Sequence, residues 1–359
     1  MQVAEPLGHA DRVRGLWNAA AQGRLPHALL FEGVRGTGRF LAARWLAQGL
    51  LCAQGPGDPC GVCGPCKRVL SGGARGNHPD LYLIDPVEEQ EETIKLARIA
   101  ERDGGGDCAE VFLRLRPAEG GWRVLIVREA DRMQAAAQNA LLKTLEEPEP
   151  GTLIVLESAR PDRLLDTIRS RCVPIVFEPL SPEDTRAVLE RSDAGEADRD
   201  AVARWSGGSP GEALRLAAEG APAARALVLD VLRGARHPLV AARALWELDG
   251  EFAGGTARAQ ARGRARSFLG LALELLADAQ RAAAGVAFED LRHGDLGPEL
   301  LALGGASAPG GVLETRLEAL LEGTREIEAN LAPEVVVERC LLALAPAGRQ
   351  AAQAGRSKS

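Results

Sequence analysis

Ala28-Leu-Leu-Phe-Glu-Gly-Val-Arg-Gly-Thr-Gly-Arg-Phe40 is the stretch on which the fold turns. Its first five residues form a short, nearly all-apolar run, the pattern of a strand covered on both faces. The run breaks at Gly33 into a glycine-rich turn, and helical periodicity begins at Arg39 and continues to Leu51. Strand, glycine loop and helix in that order are the setting of a phosphate-binding loop. In an active loop the backbone N–H groups cradle phosphates at the helix N-terminus. A lysine reaches the outer phosphates, and a Ser or Thr hydroxyl holds magnesium. Here Arg39 stands in the lysine position and Phe40 in the hydroxyl position. Phenylalanine has no oxygen to offer a metal, and a forked guanidinium is not a neutral exchange for a point charge. Gly33, Gly36, Gly38 and Arg39 therefore read as a vestigial phosphate loop. The glycine spacing alone would equally fit an ordinary strand-to-helix turn, because 41 of the 359 residues are glycine.

The alternation continues outward from this stretch. Asp80–Ile84, Arg123–Val127, Thr152–Leu156 and Val173–Phe177 are further apolar runs of about five residues. Thr93–Arg102 and Gln134–Glu147 carry helical spacing, the second ending at Pro148, which disfavours helical geometry in the residue before it. Strands alternating with helices predict an α/β fold on a parallel sheet. The strand Arg123–Val127 runs into Arg128-Glu129-Ala130-Asp131. An ATPase of this architecture places an aspartate at that strand end to hold magnesium through water. Arg128 puts a positive charge there, and two like charges about 4 Å apart repel by several kcal/mol even at an effective dielectric of 20. Phe40 and Arg128 fail the same requirement independently, so no ATP/Mg²⁺ turnover is expected.

Glu178–Pro182 interrupts the strand pattern, and Ser181 followed by Pro182, Glu183 and Asp184 reads as a helix N-cap with a proline and acids in the first turn. Beyond it only helical periodicity appears. The expected organisation is an α/β domain over 1–178, a small helical domain over 179–222, a helical bundle over 223–345 and a disordered tail over 346–359. Gly304–Gly311 reads as a flexible loop within the bundle. In Asn139–Glu147, Leu141, Leu142 and Leu145 share one stripe, which makes Lys143, Glu146 and Glu147 the solvated side of a core helix. Trp205 and Trp246 read as packing residues.

Cys52, Cys60, Cys63 and Cys66 fall within fifteen positions, the last three as overlapping Cys-x-x-Cys pairs. Such spacing can set thiolates about 3.5 to 4 Å apart around one tetrahedral zinc. Gly55, Pro56, Gly57, Pro59, Gly61, Gly64 and Pro65 supply tight turns between them. Disulfides are disfavoured in a reducing cytosol, and a redox pair needs two cysteines rather than four. Four thiolates leave no open position, so a structural Zn²⁺ module at 52–66 is expected. Cys108, Cys172 and Cys340 are isolated and read as small buried residues.

The chain carries 50 acidic and 43 basic residues, a net charge of −7, so no global attraction to nucleic acid is expected. Thirteen aromatic residues (Phe, Tyr and Trp) in 359 are too few for a base-stacking surface. With no recognisable recognition helix either, a DNA-binding transcription or repair factor is disfavoured. Met1–Arg12 lacks the apolar core of a secretory signal, and no run is long and apolar enough to span a bilayer. A cytoplasmic protein without membrane contact is the expectation.

Glu129-Ala-Asp-Arg-Met133, Ala137-Gln-Asn-Ala-Leu-Leu-Lys-Thr-Leu-Glu-Glu-Pro148 and Ser170-Arg-Cys172 together resemble the clamp-loader ATPases of bacterial DNA polymerase III. Pro26-His27-Ala28 before the first strand fits the same pattern. The cysteine cluster after the first loop-helix is similar to the zinc module of that family's gamma/tau and delta-prime subunits. The resemblance covers about residues 7–215, and Glu326–Leu342 is more loosely similar to the family's helical collar. It implies an AAA+ (P-loop NTPase-like) sheet with an inserted zinc module, then a small lid domain and an all-α collar that joins other subunits. In this family gamma/tau hydrolyses ATP and delta-prime does not. Arg39, Phe40 and Arg128 place the chain on the delta-prime side. So does Gly208-Ser209-Pro210-Gly211-Glu212, which lacks the sensor arginine of active subunits. The resemblance also gives Arg171, within Ser170-Arg171-Cys172, the part of an arginine finger that completes a neighbour's ATP site; a surface arginine in a salt bridge is the plainer reading. Implied partners are gamma/tau and delta subunits, the sliding clamp, and primed DNA through the assembled complex. The competing reading is an active gamma/tau-like ATPase whose unusual loop uses Arg39.

Overall fold

The computed structural model describes residues 3–71, 77–89, 91–101, 107–119, 121–192, 198–252, 256–305 and 311–346. The apolar runs form five strands: β1 (Ala28–Gly33), β2 (Leu81–Ile84), β3 (Arg123–Val127), β4 (Thr152–Ser158) and β5 (Val173–Phe177). Every pairing among them is parallel, in the order β2-β3-β4-β1-β5. The expected parallel α/β sheet is present. Successive side chains of a strand point to opposite faces, and β1 obeys this. Leu29 and Phe31 join a core with Trp17, Leu46 and Val124, whereas Ala28 and Leu30 join one with Leu125, Leu141 and Ile154. β3 and β4 are buried on both faces, which is why their sequences are almost uninterruptedly apolar.

The helices of this half are α1 (Ala10–Ala21), α2 (Arg39–Leu50), α3 (Gly64–Leu70), α4 (Leu96–Ile99), α5 (Ala109–Arg114), α6 (Ala135–Glu146) and α7 (Asp166–Arg169). The helix expected over Thr93–Arg102 shrinks to the single turn α4, with Arg102 outside the described residues. Its first part is extended instead, because fully buried Ile94 exchanges backbone hydrogen bonds with Arg132 and Gln134 at 2.9 and 3.0 Å. The apolar stripe of α6 is buried at Ala137, Leu141 and Leu145, and its charged side is exposed.

The chain divides into two compact units, Met1–Leu180 and Ser181–Ser359. The second opens as its local chemistry dictates: the Ser181 hydroxyl accepts the Asp184 N–H at 3.0 Å, and Pro182 occupies the first helical turn. It is built from α8 (Pro182–Glu190), α9 (Arg199–Trp205), α10 (Pro210–Ala218), α11 (Ala221–Leu232), α12 (Pro238–Glu247), α13 (Ala257–Ala283), α14 (Gly297–Gly304), α15 (Val312–Glu328) and α16 (Pro333–Leu344). Leu189, Val202, Trp205 and Leu216 form one small core, while residues 224–344 share a second, larger one. Trp205 is buried and Trp246 packs against the larger core. Most of the expected loop at Gly304–Gly311 and nearly all of the expected tail at 346–359 lie outside the described residues.

Candidate functional site

The loop after β1 emerges at the carboxyl edge of the sheet, where parallel α/β sheets bind ligands. Its glycines are required by geometry. Gly33 has φ +149°, and a Cβ there would lie 2.2 Å from the Phe177 carbonyl oxygen. Gly38 caps α2 in a left-handed conformation at φ +91°. Between them the Thr37 hydroxyl donates to the Val34 carbonyl at 2.9 Å and turns inward.

Arg39 opens α2, yet its side chain does not reach over the loop. It folds beneath, only 2% exposed, and its guanidinium donates to the carbonyls of Gly33 and Ser158. It also pairs with Glu157 of β4 at 3.2 Å, and Glu157 is itself buried. Burial pushes the Arg39 pKa down against the pull of Glu157, Asp131 and Glu129. Burial likewise pushes Glu157 up, opposed by Arg39 and Arg128. The pair is held by mutual attraction and by the two carbonyls, so the charge that a phosphate would recruit is already consumed inside the protein.

Phe40 and Arg128 are in contact. The guanidinium of Arg128 lies 4.6 Å from the Phe40 ring centre, and that of Arg44 lies 5.9 Å away. Such contacts are worth about 0.5–2 kcal/mol, more when shielded from water. Nη1 of Arg128 also donates to both oxygens of Asp85 at 3.0 and 3.3 Å. Asp85, buried at the end of β2, further accepts the backbone N–H groups of Val87 and Glu88. The other acids of this edge are similarly matched. Glu129 pairs with Arg35 at 2.6 Å and Arg132 at 2.5 Å, and Asp131 pairs with Arg160 at 3.2 Å while accepting the Ser158 hydroxyl at 2.8 Å. Four carboxylates at this edge, Glu157, Asp85, Glu129 and Asp131, each carry a guanidinium. Sequence reading missed Glu157 and Asp85; an acid inside or directly after a buried strand was the available signal.

The four clustered cysteines converge. Their sulfur atoms all lie within 4.8 Å of one another, with Cys52–Cys63 and Cys60–Cys66 both at 4.0 Å. Tetrahedral zinc with bonds near 2.3 Å sets its sulfurs about 3.8 Å apart, so this cluster could hold a zinc ion. The backbone N–H groups of Val62 and Cys63 favour the thiolate of Cys60 and bring its pKa down to about 6. Cys63 is lowered by the amides of Ala53 and Cys66 despite opposing burial, whereas burial raises Cys66. Cys63 also caps α3, its sulfur accepting the Cys66 N–H at 3.4 Å. The other cysteines are buried; lack of hydration pushes Cys172 and Cys340 both up to about 11.

Ser170-Arg171-Cys172 links α7 to β5. The Ser170 hydroxyl donates to the Thr167 carbonyl at 3.2 Å, and Cys172 packs into the core on the α6 side of the sheet. Arg171 donates to the Thr167 carbonyl at 2.9 Å and pairs with Glu146 at 2.6 Å, both side chains partly open to solvent. In the second unit, Ser209 of Gly208-Ser209-Pro210 caps α10 by accepting the Glu212 N–H at 3.2 Å.

A family model described as DNA polymerase III, delta subunit, matches residues 8–181. The delta' subunit of DNA polymerase III from Bacillus subtilis is 43% identical over 168 residues, covering 47% of each chain. The delta' subunit from Pseudomonas aeruginosa is 37% identical over 242 residues, 65% of this chain and 69% of that one. The gamma/tau subunit from Mycobacterium bovis is 38% identical over 220 residues, 59% of this chain and 36% of that protein. The match thus spans about half the length of the Bacillus relative and about a third of the mycobacterial one. No helix among the described residues is long and apolar enough to cross a membrane. With more than two thirds of the Pseudomonas protein aligned at this identity, the chain belongs to the family of DNA polymerase III delta-prime subunits.

Proposed function

We propose that the chain is a non-hydrolysing wall of a bacterial DNA polymerase III clamp loader. Its first unit is an AAA+ module with a structural zinc at Cys52, Cys60, Cys63 and Cys66. Residues 179–222 act as the lid, and residues 223–345 as the collar that joins gamma/tau and delta subunits. The assembled complex works in the cytoplasm and places a sliding clamp on primed DNA. The observation that carries this reading is the occupation of the phosphate-loop edge by the protein's own charges, Arg39 on Glu157 and Arg128 between Phe40 and Asp85. A metal–triphosphate would have to displace one buried ion pair, Arg39–Glu157, and a second, Arg128–Asp85, whose guanidinium is partly exposed, and a benzene ring would still stand where an oxygen ligand is needed. The zinc, when bound, supplies no chemistry beyond tying the 52–66 segment together.

Arg171 acts in trans. Its present partner, Glu146, is half exposed, and exposed ion pairs are worth about 0–1 kcal/mol, so the contact is easily exchanged. On docking, the guanidinium leaves Glu146 for the phosphate oxygens of ATP bound by a neighbouring subunit. Its planar fork and permanent charge suit it to the charge that develops there.

The similarity to a gamma/tau subunit and the intact loop glycines favour a second reading, an ATPase that uses Arg39. The burial of Arg39 beneath the loop argues against it. The test is reconstitution with gamma/tau-type and delta-type partners. Arg171→Ala should cut DNA-stimulated ATP hydrolysis at the adjoining site by about tenfold or more, since arginine fingers contribute roughly 10³–10⁵ in related systems. Assembly on gel filtration and zinc content should stay intact. An unchanged rate in an intact complex would remove the finger assignment.

A further inference from the structure

The 27-residue helix α13 carries no acid from its start to Ser267, while Arg258, Arg262, Arg264 and Arg266 lie in its first ten positions. Arg264 is used internally. It donates to the carbonyls of Leu245 and Leu248 at 2.7 and 2.6 Å and stacks 4.9 Å from the Phe252 ring. Arg258, Arg262 and Arg266 recur every fourth residue along one ridge, about 6 Å apart along the axis. Among the described residues none of the three has an ion pair or hydrogen-bond partner, and the Arg262 Nε is shielded from water without an acceptor. Other arginines of this unit do find acids: Arg215, Arg225, Arg233, Arg281, Arg292 and Arg339 each sit on a carboxylate.

The placement works against the helix itself. Cations in the first turns face the positive end of the helix dipole, where acids are favoured, and the first turn of α13 has none. Nearby acids do not compensate. Arg266 stands on the rim of a groove of about 340 Å³ that contains Glu212, Glu219 and Glu274. Arg215 holds the first two and Arg292 holds the third, and Glu219 also accepts the Ser267 hydroxyl at 2.5 Å. These carboxylates are committed, and Arg266 is left over.

An uncompensated row of one sign calls for a polyanion. A protein partner would also need an apolar or aromatic centre to its interface. Along α13 itself no large apolar side chain is exposed among the described residues. A phosphate backbone needs only the charges. We infer that the Arg258–Arg262–Arg266 ridge is a contact surface for a nucleic-acid backbone, used without base readout. The net charge of −7 makes it a local contact, which adds to whatever else holds the nucleic acid.

The test is fluorescence anisotropy with dye-labelled single-stranded and duplex DNA, on the full chain and on its reconstituted complex. Salt would be varied between about 50 and 200 mM. Arg258→Gln, Arg262→Gln and Arg266→Gln combined should lower the slope of log affinity against log salt by about 2 for single strands and about 3 for duplex. The affinity lost across that salt range should therefore shrink roughly 20- to 40-fold. Thermal stability should be kept, and Arg186→Gln, an exposed arginine already paired with Glu190, should leave the slope unchanged. An unchanged slope in the triple variant, or lost subunit assembly with unaltered DNA binding, would overturn the proposal.

Discussion

Arg39→Met removes the guanidinium from beneath the phosphate loop, leaves a side chain of similar reach, and strands Glu157. The two groups are 3.2 Å apart and almost wholly buried. Their attraction is roughly 5 kcal/mol at an effective dielectric of 20, offset by the desolvation of both. Removing one member of such a pair leaves an uncompensated buried charge and costs about 3–5 kcal/mol. Native-state hydrogen exchange at the buried amides of β1 and β4 isolates the first unit from the second. Protection there should fall by roughly two to three and a half orders of magnitude. The loss should also depend on pH. Burial already raises the Glu157 pKa, and losing Arg39 raises it further. The folded state then holds the proton more tightly than the unfolded state. Stability consequently falls as pH climbs from the ordinary carboxylate range through the folded value, so the deficit is larger near pH 8 than near pH 5. Glu157→Gln added to Arg39→Met should recover much of the loss. Unchanged protection, or a deficit identical at both pH values, would refute the idea that Arg39 is an internal counterion.

Two further outcomes follow from groups outside that pair. His293 is fully buried, neither ring nitrogen has a partner among the described residues, and burial together with Arg225 lowers its pKa to about 4. The unfolded chain binds this proton more readily, so the second unit should lose about 3 kcal/mol as pH falls from about 6.5 to about 4. His293→Phe should flatten that part of the profile in hydrogen exchange at Leu275 and Leu276, and an unchanged profile would count against the assignment. Metal analysis should find about one zinc per chain, and Cys60→Ser should lose it together with the stability of the 52–66 segment. Metal-free protein with disulfide-linked cysteines would contradict a zinc module.

The sheet was legible because its strands carry little except apolar residues and β1 to β4 are mostly buried; the edge strand β5 is apolar too, though Val173 and Val176 are exposed. The bounds of β3 and β5 agree with the sequence reading to the residue. Thr93–Arg102 misled because its apolar spacing also suits an extended segment, and the backbone exchange between Ile94 and Met133's neighbours is a long-range event without a local signature. At the loop, sequence reading identified what is missing, an oxygen at Phe40 and a carboxylate at Arg128. It could not identify what fills the space. Glu157 lies 118 positions from Arg39 in the chain, and Asp85 lies 43 from Arg128. Such pairings depend on strand order, which five similar apolar runs do not specify. The cysteine cluster was the opposite case, since its ligands are close in sequence and the turns between them are written in glycine and proline.

Steady-state ATP hydrolysis by the isolated chain with magnesium bears most directly on the account. If the carboxyl edge of the sheet is closed by its own arginine–carboxylate pairs, turnover stays at background with and without DNA. Turnover well above background that Arg39→Ala abolishes would mean that this guanidinium serves phosphate rather than Glu157.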